Sequence, residues 1–207
     1  MKISYSILTH NESTSLQKLL DFLIKYKDDS DEIVILDDYS DREETKEILD
    51  VYTSIYDVKV EQRHLFAHFA NQKNHLKKMC TGDYIFNLDA DEIPKLHLIR
   101  NIKAILEINE QIDLILVPRI NTIDGLTSEH IQKWGWAVDE RGWVNFPDWQ
   151  GRIHKNRPNI RWKNAVHEVM EGYKEYSFLP PEEEYCIVHH KVIDKQEKQN
   201  EFYRGIN

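Results

Sequence analysis

Cysteine is nearly absent: Cys80 and Cys186 are the only two in 207 residues, and neither belongs to a CxxC pair. A disulfide framework and a thiolate metal site are therefore not expected, and a reducing compartment fits the composition. No apolar run approaches the roughly 18 residues of a membrane-span candidate, and the opening MKISYSILTHNE turns polar too early for a secretory leader. The expectation is a soluble, cytoplasmic protein. Positive charge is also short, with 27 Lys and Arg against 36 Asp and Glu for a net charge of -9. That balance argues against broad electrostatic binding of nucleic acid. It leaves a local basic strip, Arg152, His154, Lys155, Arg157, Arg161 and Lys163, able to meet phosphate. With only seven glycines there is no evident Gly-rich phosphate loop, which counts against a nucleotidyltransferase.

What is present suits one folded unit. Hydrophobic residues make up 41% and aromatics 11% of the chain, enough to offset chain entropy, in a length that holds one core. Ile3 to Leu8 reads as a buried strand, followed by a helix with Leu16, Leu19, Leu20 and Leu23 on one face. Glu32 to Leu36 is a second strand. The helix after it carries Ile48, Tyr52 and Ile55, with Asp41 and Glu44 as its N-cap signature. Val58 to Arg63 is a third strand candidate, Phe66 to Cys80 a helix, and Tyr84 to Leu88 a fourth strand. A helix with Ile99, Ile102, Ile105 and Leu106 then precedes the strand Leu114 to Pro118. This alternation predicts an α/β fold with a largely parallel central sheet flanked by helices. Beyond about Asn121 come Trp134, Trp136, Trp143 and Trp149, suited to a ligand-facing surface or to a loop sealed by its own rings. Gln150 to Lys155, Asn159 to Trp162 and Tyr185 to His189 read as shorter strands of an α+β elaboration, and Asp194 to Gln199 as a solvated helix.

Ligands of open α/β sheets bind beyond the carboxyl ends of the strands. Three such ends carry polar clusters: Thr9, Asn11 and Glu12; Asp37, Asp38, Ser40 and Asp41; and Asp89, Asp91 and Glu92. The Asp89-Ala90-Asp91 turn offers the oxygen ligands that Mg²⁺ or Mn²⁺ prefers, leaving coordination sites for phosphates. Taken as an isolated tripeptide, D-x-D is more simply a turn or solvated loop, and a helix-capping turn is the plain alternative for Asp37 and Asp38. Lys73 and Asn74 are left out of the site, because a solvated helix face explains them nearly as well as a functional role.

Three segments in order, Ser6 to Glu12, Glu32 to Asp41 and Gly82 to Glu92, resemble the successive signatures of family 2 glycosyltransferases with a GT-A-type, Rossmann-like fold. Trp149 to Lys155 and Ala165 to Glu168 resemble the branch containing lipopolysaccharide-core glucosyltransferases. The resemblance implies one domain over residues 1–207, with 1–120 binding the nucleotide-sugar and 121–207 facing the acceptor. At matching positions Thr9, Asn11 and Glu12 would line the nucleotide pocket and Asp38 would meet the base or ribose. Asp89 would face ribose and metal, with Asp91 the main ligand of Mn²⁺ or Mg²⁺. Tyr39 stands where the family has a small residue. His189 would complete the metal site, and His167 would bind metal or diphosphate instead.

The activity so implied is metal-dependent, inverting transfer of a hexose or pentose from a nucleotide-diphosphate sugar, a UDP-sugar first, to an acceptor hydroxyl on a glycan. Inversion needs a base for the acceptor proton; Glu168 is the candidate and Asp148 the reserve. A hydroxymethylated DNA base as acceptor, a nucleotidyltransferase and a non-catalytic nucleotide-sugar-binding module are the alternatives.

Overall fold

The computed structural model describes residues 1–204, with side chains to residue 198. Strand β1 (Ile3–Thr9) lies between β2 (Glu32–Asp37) and β4 (Tyr84–Asp89), parallel to both, and β3 (Lys59–Gln62) extends the sheet parallel to β2. Side chains alternate across β2 with period two. Ile33 and Ile35 join the main core with the buried leucines of α1 (Thr14–Tyr26) and with α4 (Leu96–Ile108), while Val34 and Leu36 face Leu76 of α3 (Phe69–Met79). Both faces are thus covered, which is why these strands read as near-continuous apolar runs. Each fully buried leucine of α1 contributes about 2 kcal/mol of burial.

The second half is threaded into the same sheet. β6 (Leu114–Asp124) and β7 (Val144–Lys155) are much longer than expected, and β7 sits antiparallel between β4 and β6, at the middle of the sheet. β11 (Ile187–Val192) runs parallel to β6 and antiparallel to the short β5 (Glu92–Pro94); β10 (Tyr176–Phe178) also pairs with β6. The expected α/β fold is observed, as a mixed sheet of nine strands among the described residues. A separate hairpin, β8 (Arg161–Lys163) and β9 (Val169–Glu171), packs Trp162 and Met170 with Ala70 of α3 and Leu114 of β6. The chain closes with α6 (Ile193–Arg204).

Several local expectations are corrected. Helix α2 (Glu43–Tyr56) begins after Arg42, not at an Asp41 cap. Asn11 Oδ1 reaches across from the first loop and accepts the Asp41 and Arg42 N–H groups at 2.9 and 3.1 Å. Ile55 of α2 is exposed. Helix α3 starts only at Phe69, because Phe66 and Ala67 take positive φ and cannot continue a right-handed helix. The basic strip does not form: Arg152, His154 and Lys155 are buried in the central strand, and Lys155 and Arg157 pair with Asp113.

Candidate functional site

Register decides what meets what. Thr9 of β1 pairs with Asp37 of β2, and Leu8 with Asp89 of β4, so three strand ends stop at one level. His189 of β11 pairs with Glu92 of β5 and with Asn121 of β6. These ends and the β8–β9 hairpin enclose a cavity of about 920 Å³, a volume typical of small-molecule sites. Thr9, Glu12, Asp38, Asp89, Asp91, Asp148, Glu168 and His189 all line it. Asn11 is the exception, tying the first loop to Asp41 and Arg42 just ahead of α2.

The second acidic loop is built from within. Asp37 is fully buried and accepts from Ser40 N and Oγ and from Gln62 Nε2, so it ties the turn together. Asp38 accepts from Leu65 N at 2.8 Å and lines the cavity. Tyr39 takes φ of 47° and lays its ring on His64, with centroids 4.0 Å apart.

The third loop is held by arginines that adjacency in sequence did not reveal. Arg152 of β7, 4% exposed, reaches Asp89 at 2.7 Å and also pairs with the fully buried Glu92. Arg119 of β6 joins Glu92 at 2.9 Å to Asp148 at 2.6 Å. Burial acts to raise the Asp89 carboxyl, but the charges of Arg152, Lys73 and Arg119 outweigh it and hold the group well below the usual carboxylate range. Asp148 is similarly held down, its burial outweighed by Arg119 and by donors from Asn121 and Gln150. A carboxylate so occupied is a poor proton acceptor.

Around Asp91 the polarity of each partner can be worked out. The Asp148 carboxylate only accepts, so Asn121 must present its NH₂ to it, at 2.8 Å. The Asn121 oxygen then faces His189 Nδ1 at 3.0 Å, which makes Nδ1 the protonated nitrogen. Nε2 is left toward Asp91 Oδ2, 3.4 Å away. Two donors at that separation, an imidazole nitrogen and a carboxylate oxygen, suit adjacent positions on a Mn²⁺ or Mg²⁺ ion that keeps its other positions for phosphate oxygens. Asp89 is turned to Arg152, and among the described residues no three of His, Cys, Asp and Glu converge on one point. Lys195 Nζ stands 2.9 Å from the same Asp91 oxygen and pairs also with Glu12. The helix expected to be merely solvated therefore reaches into the site. Burial acts to raise the Asp91 carboxyl; a hydrogen bond and charge from His189, once Nε2 also carries a proton, and the charge of Lys195 overcome it and leave the group strongly depressed.

On the opposite wall, His167 and Glu168 sit in the turn joining β8 to β9, where Asn164 and His167 take positive φ. The Phe69 N–H donates to Ala165 O at 2.8 Å and anchors this turn to the start of α3. Glu168 pairs with Lys73, whose ammonium lies 4.4 Å from the Trp162 ring centroid. Lys73 is only 9% exposed, and Asn74 bonds both the N–H and C=O of Trp162 at 2.8 Å. The solvated-face reading of this pair is thus overturned: α3 packs against β8 rather than water. The tryptophans divide as well. Trp136, Trp149 and Trp162 line the cavity, whereas Trp143 is buried beneath Arg141 and Phe146.

Comparison with known proteins adds a sequence family and a fold. A family model described as glycosyl transferase family 2 matches residues 4–177. No curated protein matches the chain. Among solved structures, Staphylococcus aureus TarS 1-349 in complex with UDP-GlcNAc superposes with a TM-score of 0.67 at 17% identity, covering 92% of this chain and 59% of that one. TarS 1-349 alone gives 0.65 at 18% identity, over 100% of this chain and 64% of that one. A longer TarS structure gives 0.62 at 15% identity, covering 97% and 38%. The chain thus spans about three-fifths of the length of the TarS 1-349 structures.

Proposed function

Because the chain belongs to glycosyl transferase family 2, we propose that it transfers a sugar from a nucleotide-diphosphate sugar to an acceptor hydroxyl, with inversion at the anomeric carbon. The carrying observation is the register of β1, β2 and β4, which opens three acidic loops on one cavity in a chain of this family. A uridine diphosphate sugar is the proposed donor, since a structural relative was crystallised with UDP-GlcNAc and also with UDP. Thr9 and Glu12 line the nucleotide side, and Asp38 meets the base or ribose. Asn11 acts at one remove, by shaping the loop that carries them. Asp89, steadied by Arg152, faces the ribose and the metal.

Asp91 and His189 are proposed to hold Mn²⁺ or Mg²⁺, an ion that supplies positive charge for the departing diphosphate. Glu168 is proposed as the base. It accepts the acceptor O–H proton as that oxygen bonds to the anomeric carbon, and the bond from this carbon to the diphosphate oxygen breaks with its electron pair leaving on the diphosphate. Asp148 is less suited than sequence allowed, being engaged by Arg119, Asn121 and Gln150. Its place is to hold Asn121, and through it the His189 ring.

A saccharide of a surface glycan is the proposed acceptor, as in the lipopolysaccharide-core branch. Trp136, Trp149, Trp162 and Tyr173 line the cavity with apolar surfaces and polar edges that suit pyranose rings. A DNA acceptor has less support, because Arg152, Lys155 and Arg157 are already engaged by carboxylates. The proposal is tested by transfer from a panel of UDP-sugars to oligosaccharide acceptors with Mn²⁺. Wild-type turnover that Asp91→Ala abolishes, with the melting temperature unchanged, supports it. Full turnover in Asp91→Ala removes the metal role assigned to that residue.

A further inference from the structure

Helix α6 follows β11 directly and returns one side chain to the strand ends. Lys195 Nζ lies 2.9 Å from Asp91 Oδ2 and pairs with the Glu12 carboxylate. It bridges two loops that lie 104 and 183 residues away in sequence. The same Asp91 oxygen faces His189 Nε2 at 3.4 Å. One carboxylate oxygen is therefore addressed by an ammonium and by an imidazole nitrogen. Lys195 is 44% exposed, so its side chain has room to leave.

We infer that Lys195 is a donor-site residue that changes partner: it neutralises Asp91 and Glu12 in the free protein and moves to the diphosphate oxygens when metal and nucleotide bind. The inference rests on the donor reading above. Its logic is charge. A divalent cation on Asp91 must displace the ammonium or sit beside it, so Lys195 opposes metal binding when no nucleotide is present. A bound diphosphate brings new anionic oxygens into the same cavity, within the sweep of a lysine chain, so Lys195 then favours the ligand. Removing the ammonium therefore has effects of opposite sign on the two equilibria. A purely structural lysine would weaken both or neither.

The test compares wild type with Lys195→Met and Lys195→Arg by titration calorimetry, first with Mn²⁺ alone, then with UDP at saturating Mn²⁺. Lys195→Met is expected to bind Mn²⁺ about tenfold more tightly, about 1.4 kcal/mol, and UDP about tenfold more weakly. Lys195→Arg, which keeps the charge, should stay near wild type in both. Equal Mn²⁺ affinity in wild type and Lys195→Met, or unchanged UDP affinity, overturns the inference. If wild type binds UDP under those conditions, the donor reading survives that loss. If it binds neither Mn²⁺ nor UDP, both fall.

Discussion

At the residue scale, Glu168 and Asp148 are two carboxylates of one cavity with different surroundings. Asp148 accepts two Arg119 N–H groups on one oxygen and is held by two amides, whereas Glu168 pairs with Lys73 beside the Trp162 ring. Glu168→Gln keeps the shape and removes the proton acceptor. Turnover should fall by about 10² to 10⁴-fold with UDP affinity unchanged, measured by transfer rate beside calorimetry; a loss below fivefold excludes Glu168 as the base. Asp91→Asn should weaken Mn²⁺ binding at least tenfold, since an amide oxygen lacks the carboxylate's charge, and Mn²⁺ titration reads this directly. The acidic cluster was legible in sequence because its members flank apolar strands. Arg152, Arg119 and Lys195 were not, since each meets its carboxylate through strand register or helix return and sits at least 27 residues from it. Lys73 looked like surface because its partner, the β8–β9 hairpin, is formed by residues about ninety positions later.

At the scale of elements, the buried parallel strands β1, β2 and β4 and the leucine faces of α1 and α4 could be read directly, since continuous apolar runs and 3.6-residue spacing are strong signals. β7 could not. Its early part, Val144 to Gln150, mixes aromatic, amide and carboxylate residues because it lines the cavity, and only Arg152 to Lys155 is buried throughout. The β8–β9 hairpin depends on Gly172, which takes φ of +85°; a Cβ there would lie 1.8 Å from Asn159 O. Gly172→Ala should therefore destabilise the hairpin by about 2 kcal/mol or more. Because the hairpin carries Glu168, amide exchange should rise across residues 161–171 while β1 and β2 stay protected. Unaltered exchange in the hairpin would show that it accommodates the methyl group.

At the scale of the whole molecule, β7 and β11 join the two halves of the chain in one sheet, so both halves share a core. That sheet contains a pH-sensitive element. His154 of β7 is 1% exposed; its Nδ1 faces the Lys155 carbonyl at 2.9 Å, and its Nε2 has no hydrogen-bond partner among the described residues. Burial pushes its pKa down to about 4, against roughly 6.5 in an unfolded chain. The folded state thus binds its proton later than the unfolded state as pH falls, so stability is full above about 6.5 and is lost between there and about 4. The loss approaches about 3 kcal/mol at about 1.4 kcal/mol per unit. Urea unfolding at pH 7 and pH 5 should show it, and His154→Leu should flatten the dependence. An unchanged slope in that variant would assign it to other groups.

The proposed donor site is tested most directly by equilibrium binding of UDP-sugars with Mn²⁺, comparing wild type, Asp38→Ala and Asp91→Asn by titration calorimetry. Saturable one-to-one binding of at least one UDP-sugar is expected, weakened about tenfold or more in each variant. A folded wild-type protein that binds none of them, or variants that bind as tightly as wild type, would contradict a nucleotide-sugar site at these strand ends.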